Sequence, residues 1–184
     1  MATIGIIAVV AILVILLLWG ISKQNQLVKA DERCNNALKQ INVQQMSRYD
    51  ALKALIKLTR EYADYEGSTL QKVVEARRIT SSASPTVEQV RENESALQAI
   101  QAGVIAVAEQ YPQLKANENY LKAMDDIKAY EENVRLSRMT FNDTVTRFNN
   151  EVRMFPGSIV ASLLHFAKRE YLADDVSKSE YPDF

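Results

Sequence analysis

The chain has 184 residues, with 22 Lys and Arg against 23 Asp and Glu, a formal net charge of −1, one His and one Cys. That charge balance argues against nucleic acid as the main partner. With no C-x-x-C and no H-E-x-x-H in the chain, nothing marks a zinc site, and a lone cysteine fits a reducing compartment while being tolerated elsewhere.

The first 22 residues carry no charge, and the 16 from Ile4 to Trp19 form an almost unbroken apolar run. A helix over Ala2 to Ile21 is about 30 Å long, the thickness of a bilayer's hydrocarbon core. A cleaved signal peptide wants a basic start and a small-x-small cleavage site, and the run has neither. A lipoprotein signal needs a cysteine at its end, whereas Cys34 lies well beyond. A buried core helix is rarely apolar on every face in so small a domain. The reading is a retained single-pass anchor over residues 1–21. Ile4, Ile7, Val10, Leu13 and Leu17 belong to it, and Trp19 stands at the membrane interface. No side-chain cation precedes the run, whereas Lys23, Lys29 and Arg33 follow it. The positive-inside rule then leaves the N-terminus outside and the remaining domain on the cytoplasmic face of the inner (cytoplasmic) membrane. A periplasmic or extracellular domain is the alternative.

Beyond the anchor, Gly and Pro are scarce, and none occurs from Ile21 to Glu66. In that stretch Leu27, Cys34, Leu38, Ile41, Leu52, Leu55, Thr59 and Tyr62 fall on one helical stripe, whose middle is the polar pair Gln45 and Arg48. Gly67 allows a break, followed by a shorter helix over Ser68 to Thr80. At the next turn either Ser84 caps a helix with Pro85 at its first position, or Thr86 and Gln89 form a capping box. Val87, Val90, Leu97, Ile100, Val104 and Val107 carry the following helix to about Tyr111, where Pro112 ends it. Gly103 inside it costs about 1 kcal/mol relative to Ala unless another helix packs closely there.

The last long helix is predicted from about Asn117 to Phe155. Its heptad seam is Phe141, Val145, Phe148, Val152 and Phe155, the pattern of bundle core or of a coiled-coil oligomer contact. Pro156-Gly157 stops it, and Ser158 caps a short apolar segment from Ile159 to Phe166. After Glu170 the chain is acidic and aperiodic. The predicted fold is therefore all-α: an anchor at 1–21, an antiparallel bundle of three to four long helices at 22–155, and a short apolar helix with an acidic tail at 156–184.

The stretch Asn36 to Glu66, NALKQINVQQMSRYDALKALIKLTREYADYE, resembles the LemA family signature over 31 positions without a gap. The agreement includes Asn36, Ala37, Gln40, Ile41, Arg48, Asp50, Leu52 and Tyr62. It continues in Tyr111 to Asn117, Glu132-Asn133, Phe148-Asn149 and Phe155-Pro156-Gly157. Three positions depart from the signature: Asn42 replaces an aspartate, Tyr49 a histidine and Lys53 a proline. The missing proline leaves the first helix less kinked. The resemblance implies a membrane-anchored antiparallel helical bundle and supplies no reaction.

Catalytic patterns are missing. His165 has no nucleophile paired with it by motif and reads as structural or interfacial. Cys34, on the apolar stripe, reads as a small buried hydrophobe. Asp125-Asp126 and Glu131-Glu132 read as solvated surface, because adjacent residues diverge around a helix. No cofactor, metal or small-molecule substrate is expected. Two groups remain as candidate interaction surfaces. One is the polar patch Gln45, Arg48 and Asp50, which either sets helix register or docks a partner. The other is the apolar set Ile159, Val160, Leu163, Leu164 and Phe166, which closes one end of the bundle or meets a neighbouring subunit or lipid, aided by Lys168 and Arg169. The leading expectation is a non-enzymatic, membrane-anchored scaffold that self-associates laterally into a homo-oligomer. The second is an adaptor for another membrane protein, a protease or transporter, docking near Arg48.

Overall fold

The computed structural model describes residues 2–60 and 84–172. Among these, all regular structure is helical: α1 (Ala2–Arg60), α2 (Val87–Gln110), α3 (Pro112–Lys115), α4 (Glu118–Arg153) and α5 (Gly157–Leu163). The chain is thus a long N-terminal apolar helix joined to a helical bundle. The expected break at Gly67, the helix over Ser68 to Thr80 and the stripe position Tyr62 lie outside the described residues. So do residues 173–184 of the acidic tail.

α1 is 59 residues long, about 88 Å by helix rise. It runs through Gly20, where an added Cβ would meet nothing within 4 Å. It also passes without interruption through exposed Lys53, which keeps the backbone N–H that a proline lacks. Its large apolar residues from Ile4 to Leu18 are 52–71% exposed, so no face of this segment is covered by other described residues. Trp19 is the first half-buried position. From there the predicted stripe is buried without exception among the described residues: Leu27, Cys34, Leu38, Ile41, Gln45, Arg48, Leu52, Leu55 and Thr59.

The chain divides into two compact units. The first joins residues 1–35 to 143–170, and the second joins 36–142 to Tyr171 and Leu172. In the second unit, one core gathers Leu52, Leu55 and Ile56 of α1 with Leu97, Ile100 and Val104 of α2. Leu114, Tyr120 and Ile127 complete it. α2 begins with a capping box: the Gln89 backbone N–H donates to the Thr86 hydroxyl and the Thr86 N–H donates to the Gln89 side chain. This settles the choice left open at Ser84. Along α2 the buried positions are Val90, Asn93, Leu97, Ile100, Val104 and Ala108. Val107, expected in the stripe, is only half-buried, because Ala108 sits four residues after Val104 and takes the inward place. α2 ends at Gln110 and Pro112 opens α3 at its first turn. The Asn117 side chain then accepts from the N–H groups of Asn119 and Tyr120, capping α4.

At Gly103 an added Cβ would meet nothing within 4 Å. A methyl group fits there and glycine is costly within a helix, so Gly103→Ala is expected to stabilise the bundle by about 0.5–1 kcal/mol. A thermal midpoint at or below that of the parent protein would refute this.

In the first unit, Leu27, Val160 and Ala161 form a small core against which Trp19, Val152 and Phe166 pack. The heptad seam holds through Phe141, Val145 and Phe148, which are buried. It then fails at Phe155, which is 81% exposed: α4 ends at Arg153, so the helical phase that would turn Phe155 inward is lost. Pro156, not Ser158, occupies the N-cap of α5, and no side chain caps that end. Gly157 is required by a close approach. A Cβ there would lie 2.6 Å from the Glu151 carbonyl oxygen.

α5 closes with a Schellman arrangement. The Phe166 N–H donates to the Ala161 carbonyl and the His165 N–H to that of Ser162. His165 takes the left-handed conformation, φ 59°, that this motif usually gives to glycine. The lone histidine thus forms the helix-ending turn, with an exposed ring.

Candidate functional site

The polar middle of the α1 stripe forms a hydrogen-bonded network within the second unit. Arg48 is 1% exposed. Its Nη1 donates to Glu94 Oε1 at 2.7 Å; its Nη2 donates to Gln101 Oε1 at 2.7 Å and Glu131 Oε1 at 2.8 Å. One guanidinium therefore ties α1 to α2 and to α4, as its planar fork of donors allows. Gln45, three residues earlier on the same face, donates from Nε2 to the Val90 carbonyl at 2.9 Å and to Glu94 Oε2 at 3.2 Å. Gln98 adds a third donor to Glu94. Glu94, 14% exposed, thus accepts at both oxygens and carries most of the counter-charge. Glu131 is 37% exposed, so water screens its share.

The predicted surface residues part ways here. Gln45 and Arg48 are brought together, but both are buried within the bundle. Asp50 is exposed and outside the network, because two residues along a helix turn it well away from Arg48. The expected solvation of Glu131-Glu132 holds for Glu132, which pairs with Arg135 on the surface. It holds only in part for Glu131, which is 37% exposed and also bonds Arg48. Glu94, Gln101 and Asn93 were not singled out in the sequence. Asn93 is fully buried, and only the 3-4 spacing Val90, Asn93, Leu97 could have revealed it.

The first unit holds the second candidate group. Val160 and Ala161 face inward and Phe166 is half-buried, whereas Ile159, Leu163 and Leu164 are exposed. Leu163, at 76%, rivals Phe155 as the most exposed large apolar side chain of the segment. Because Trp19 and Phe166 pack on the same small core, the C-terminal segment lies beside the end of the apolar run.

After α5 the chain is latched to α4. Asn149 donates from Nδ2 to the Arg169 carbonyl at 3.0 Å and accepts the Arg169 N–H at 2.9 Å. The Arg169 guanidinium sits 5.9 Å from the centroid of the Phe148 ring, and Phe166 meets that ring edge-on at 6.3 Å. Arg169 also donates to Asp31 and Asn35, each at 2.7 Å. It is therefore spent on internal bonds, and only Lys168 of the expected basic pair is exposed. In the second unit Asn142 holds Leu172 by the same two-bond pattern, at 2.9 and 3.0 Å. Leu172, expected in a loose tail, is buried.

Cys34 is buried, and that burial pushes its thiol above the ordinary range, only partly offset by a hydrogen bond with Thr144. The low thiolate fraction that follows is the opposite of what a redox cysteine needs.

A family model described as "LemA family" matches residues 37–184. The chain belongs to the LemA family. The match opens after the apolar run and takes in the Arg48 network, both asparagine latches and α5. A curated relative, "Protein LemA" of Metamycoplasma hominis, is 25% identical over 144 residues, 78% of this chain. The chain spans 66% of that protein's length, just under two thirds. Of the three departures from the family signature, Asn42 and Tyr49 are buried and Lys53 is exposed.

Proposed function

We propose that this LemA family chain is a non-enzymatic, single-pass, membrane-anchored scaffold whose antiparallel bundle associates laterally with copies of itself. The observation that carries this reading is α1. Its apolar segment is exposed on every face and continues into the bundle's first helix without a break. An apolar helix about 30 Å long that lacks protein neighbours fits lipid as its solvent. An anchor continuous with the first bundle helix favours a common orientation of neighbouring domains. Confinement to a membrane raises their effective concentration, so that weak contacts suffice. Lys23, Lys29 and Arg33 favour a cytoplasmic bundle on the inner membrane. Exposed apolar side chains on the long helices, Leu136 and Met139 of α4 and Val43 and Met46 of α1, supply contact surface.

The test is oligomeric state. In native membranes, a Met139→Cys variant in a Cys34→Ser background, with one thiol per chain, is expected to give a covalent dimer with a bismaleimide. Detergent-extracted parent protein is expected to show masses above the monomer in mass photometry. A strict monomer by both methods would overturn the reading.

A further inference from the structure

The strongest unexplained feature is the turn from Met154 through α5. Its outward side chains Met154, Phe155, Ile159 and Leu163 are 57–81% exposed, a density of bare bulky apolar groups matched among the described residues only by the apolar run of α1. They are not a failed core. Val160 and Ala161, on the opposite side of α5, already fill the inward positions. Ile159 and Leu163 are four residues apart and so share one outward face.

What covers this face is indicated by what holds its other side. α5 packs on Leu27 and, through the same small core, on Trp19, the residue that ends the apolar run. Trp19 and Leu27 are eight residues apart on α1, about 12 Å of helix rise. The bare face therefore belongs at the level where the proposed anchor leaves the bilayer. Its charged surroundings match that level. The first unit carries seven Lys and Arg against five Asp and Glu, in a chain that is net acidic. Arg153 and Lys168 flank α5 with exposed side chains.

Resting on the anchor reading above, we infer that Met154–Leu164 is a membrane foot. It lays the Phe155, Ile159 and Leu163 face into the headgroup–acyl boundary beside the anchor, with Arg153 and Lys168 toward anionic headgroups. Apolar side chains of an interfacial helix reach about 5–10 Å into that boundary. The occupant is thus the phospholipid surface itself, and the bundle is held to the bilayer at two points, an anchor and a foot. Two points of attachment restrict tilt and rotation of the bundle, which a single helix does not.

The test uses the full chain in nanodiscs of mixed phosphatidylcholine and phosphatidylglycerol. The single tryptophan is first removed as Trp19→Phe. Reporters are then placed one at a time: Phe155→Trp and Ile159→Trp in the foot, and Leu13→Trp in the anchor. All three replace exposed side chains, so each is compatible with the fold. Lipids brominated near the headgroup end of the acyl chain quench by contact. The foot reporters are expected to lose about half their emission or more relative to unbrominated lipid, as a side chain seated in the interface requires. Quenching of the anchor reporter without quenching of either foot reporter would overturn the foot while leaving the anchor intact. A blue-shifted but unquenched foot reporter whose emission depends on the protein-to-lipid ratio would assign the face to a second copy of the chain instead. An unquenched anchor reporter would bring down both readings.

Discussion

Arg48→Met is expected to destabilise the bundle by about 3–5 kcal/mol, because it leaves carboxylates in the interior without their counter-charge. Glu94 bears most of that penalty. It is largely buried, and two amide donors cannot replace a guanidinium. Glu131 adds less, since it is partly solvated. Arg48→Lys keeps the charge but is expected to recover only part of the loss. One ammonium cannot reproduce the fork that spans Glu94, Gln101 and Glu131. Combining Arg48→Met with Glu94→Gln and Glu131→Gln removes the stranded charges and is expected to restore most of the stability. Urea unfolding followed by circular dichroism in detergent measures all three. A single-variant loss under about 1 kcal/mol, the size of a surface ion pair, would show that the network does not bind the helices together.

Phe148→Ala is expected to cost about 3–5 kcal/mol, the range for truncating a buried aromatic ring. The ring is 1% exposed. It is also the platform on which the segment after α5 is assembled: Phe166 packs against its edge and Arg169 stacks over its face. The effect should therefore appear locally before it appears globally. Trypsin cleavage after Lys168 and Arg169 is expected to accelerate in the variant under native conditions, as the latch at Asn149 loses its neighbour. Phe148→Leu, which fills much of the volume, is expected to cost less and to leave cleavage slow. Unchanged cleavage in Phe148→Ala would mean that the asparagine latch holds the segment without the ring.

The heptad of α4 shows how far pattern reaches. The spacing located Phe141, Val145 and Phe148 correctly, then failed at Phe155, because a helix's phase is informative only while the helix continues. Pro156 and Gly157 marked an interruption, but the residue at which α4 would stop was not legible. That residue decides whether Phe155 ends up in the core or bare. The capping of α5 failed for a related reason. Ser158 had suitable chemistry, yet the close approach of Gly157 to the Glu151 carbonyl sets the turn, and such an approach is a distance between chain segments.

By itself the sequence determined the local properties: an apolar run long enough to cross a bilayer, helices bounded by Gly and Pro, two candidate caps for α2, and the buried stripe of α1 with Gln45 and Arg48 in its middle. All of these follow from one helix's period and composition. Only the tertiary structure decided what those stripes meet. Arg48 finds its partners 46, 53 and 83 residues away, and Arg169 finds Asp31 at a separation of 138. The period of a helix says which face is buried; it carries no information about which other helix will lie against it. For that reason Glu131 and Glu132 looked alike in the sequence, and only packing set one of them against Arg48.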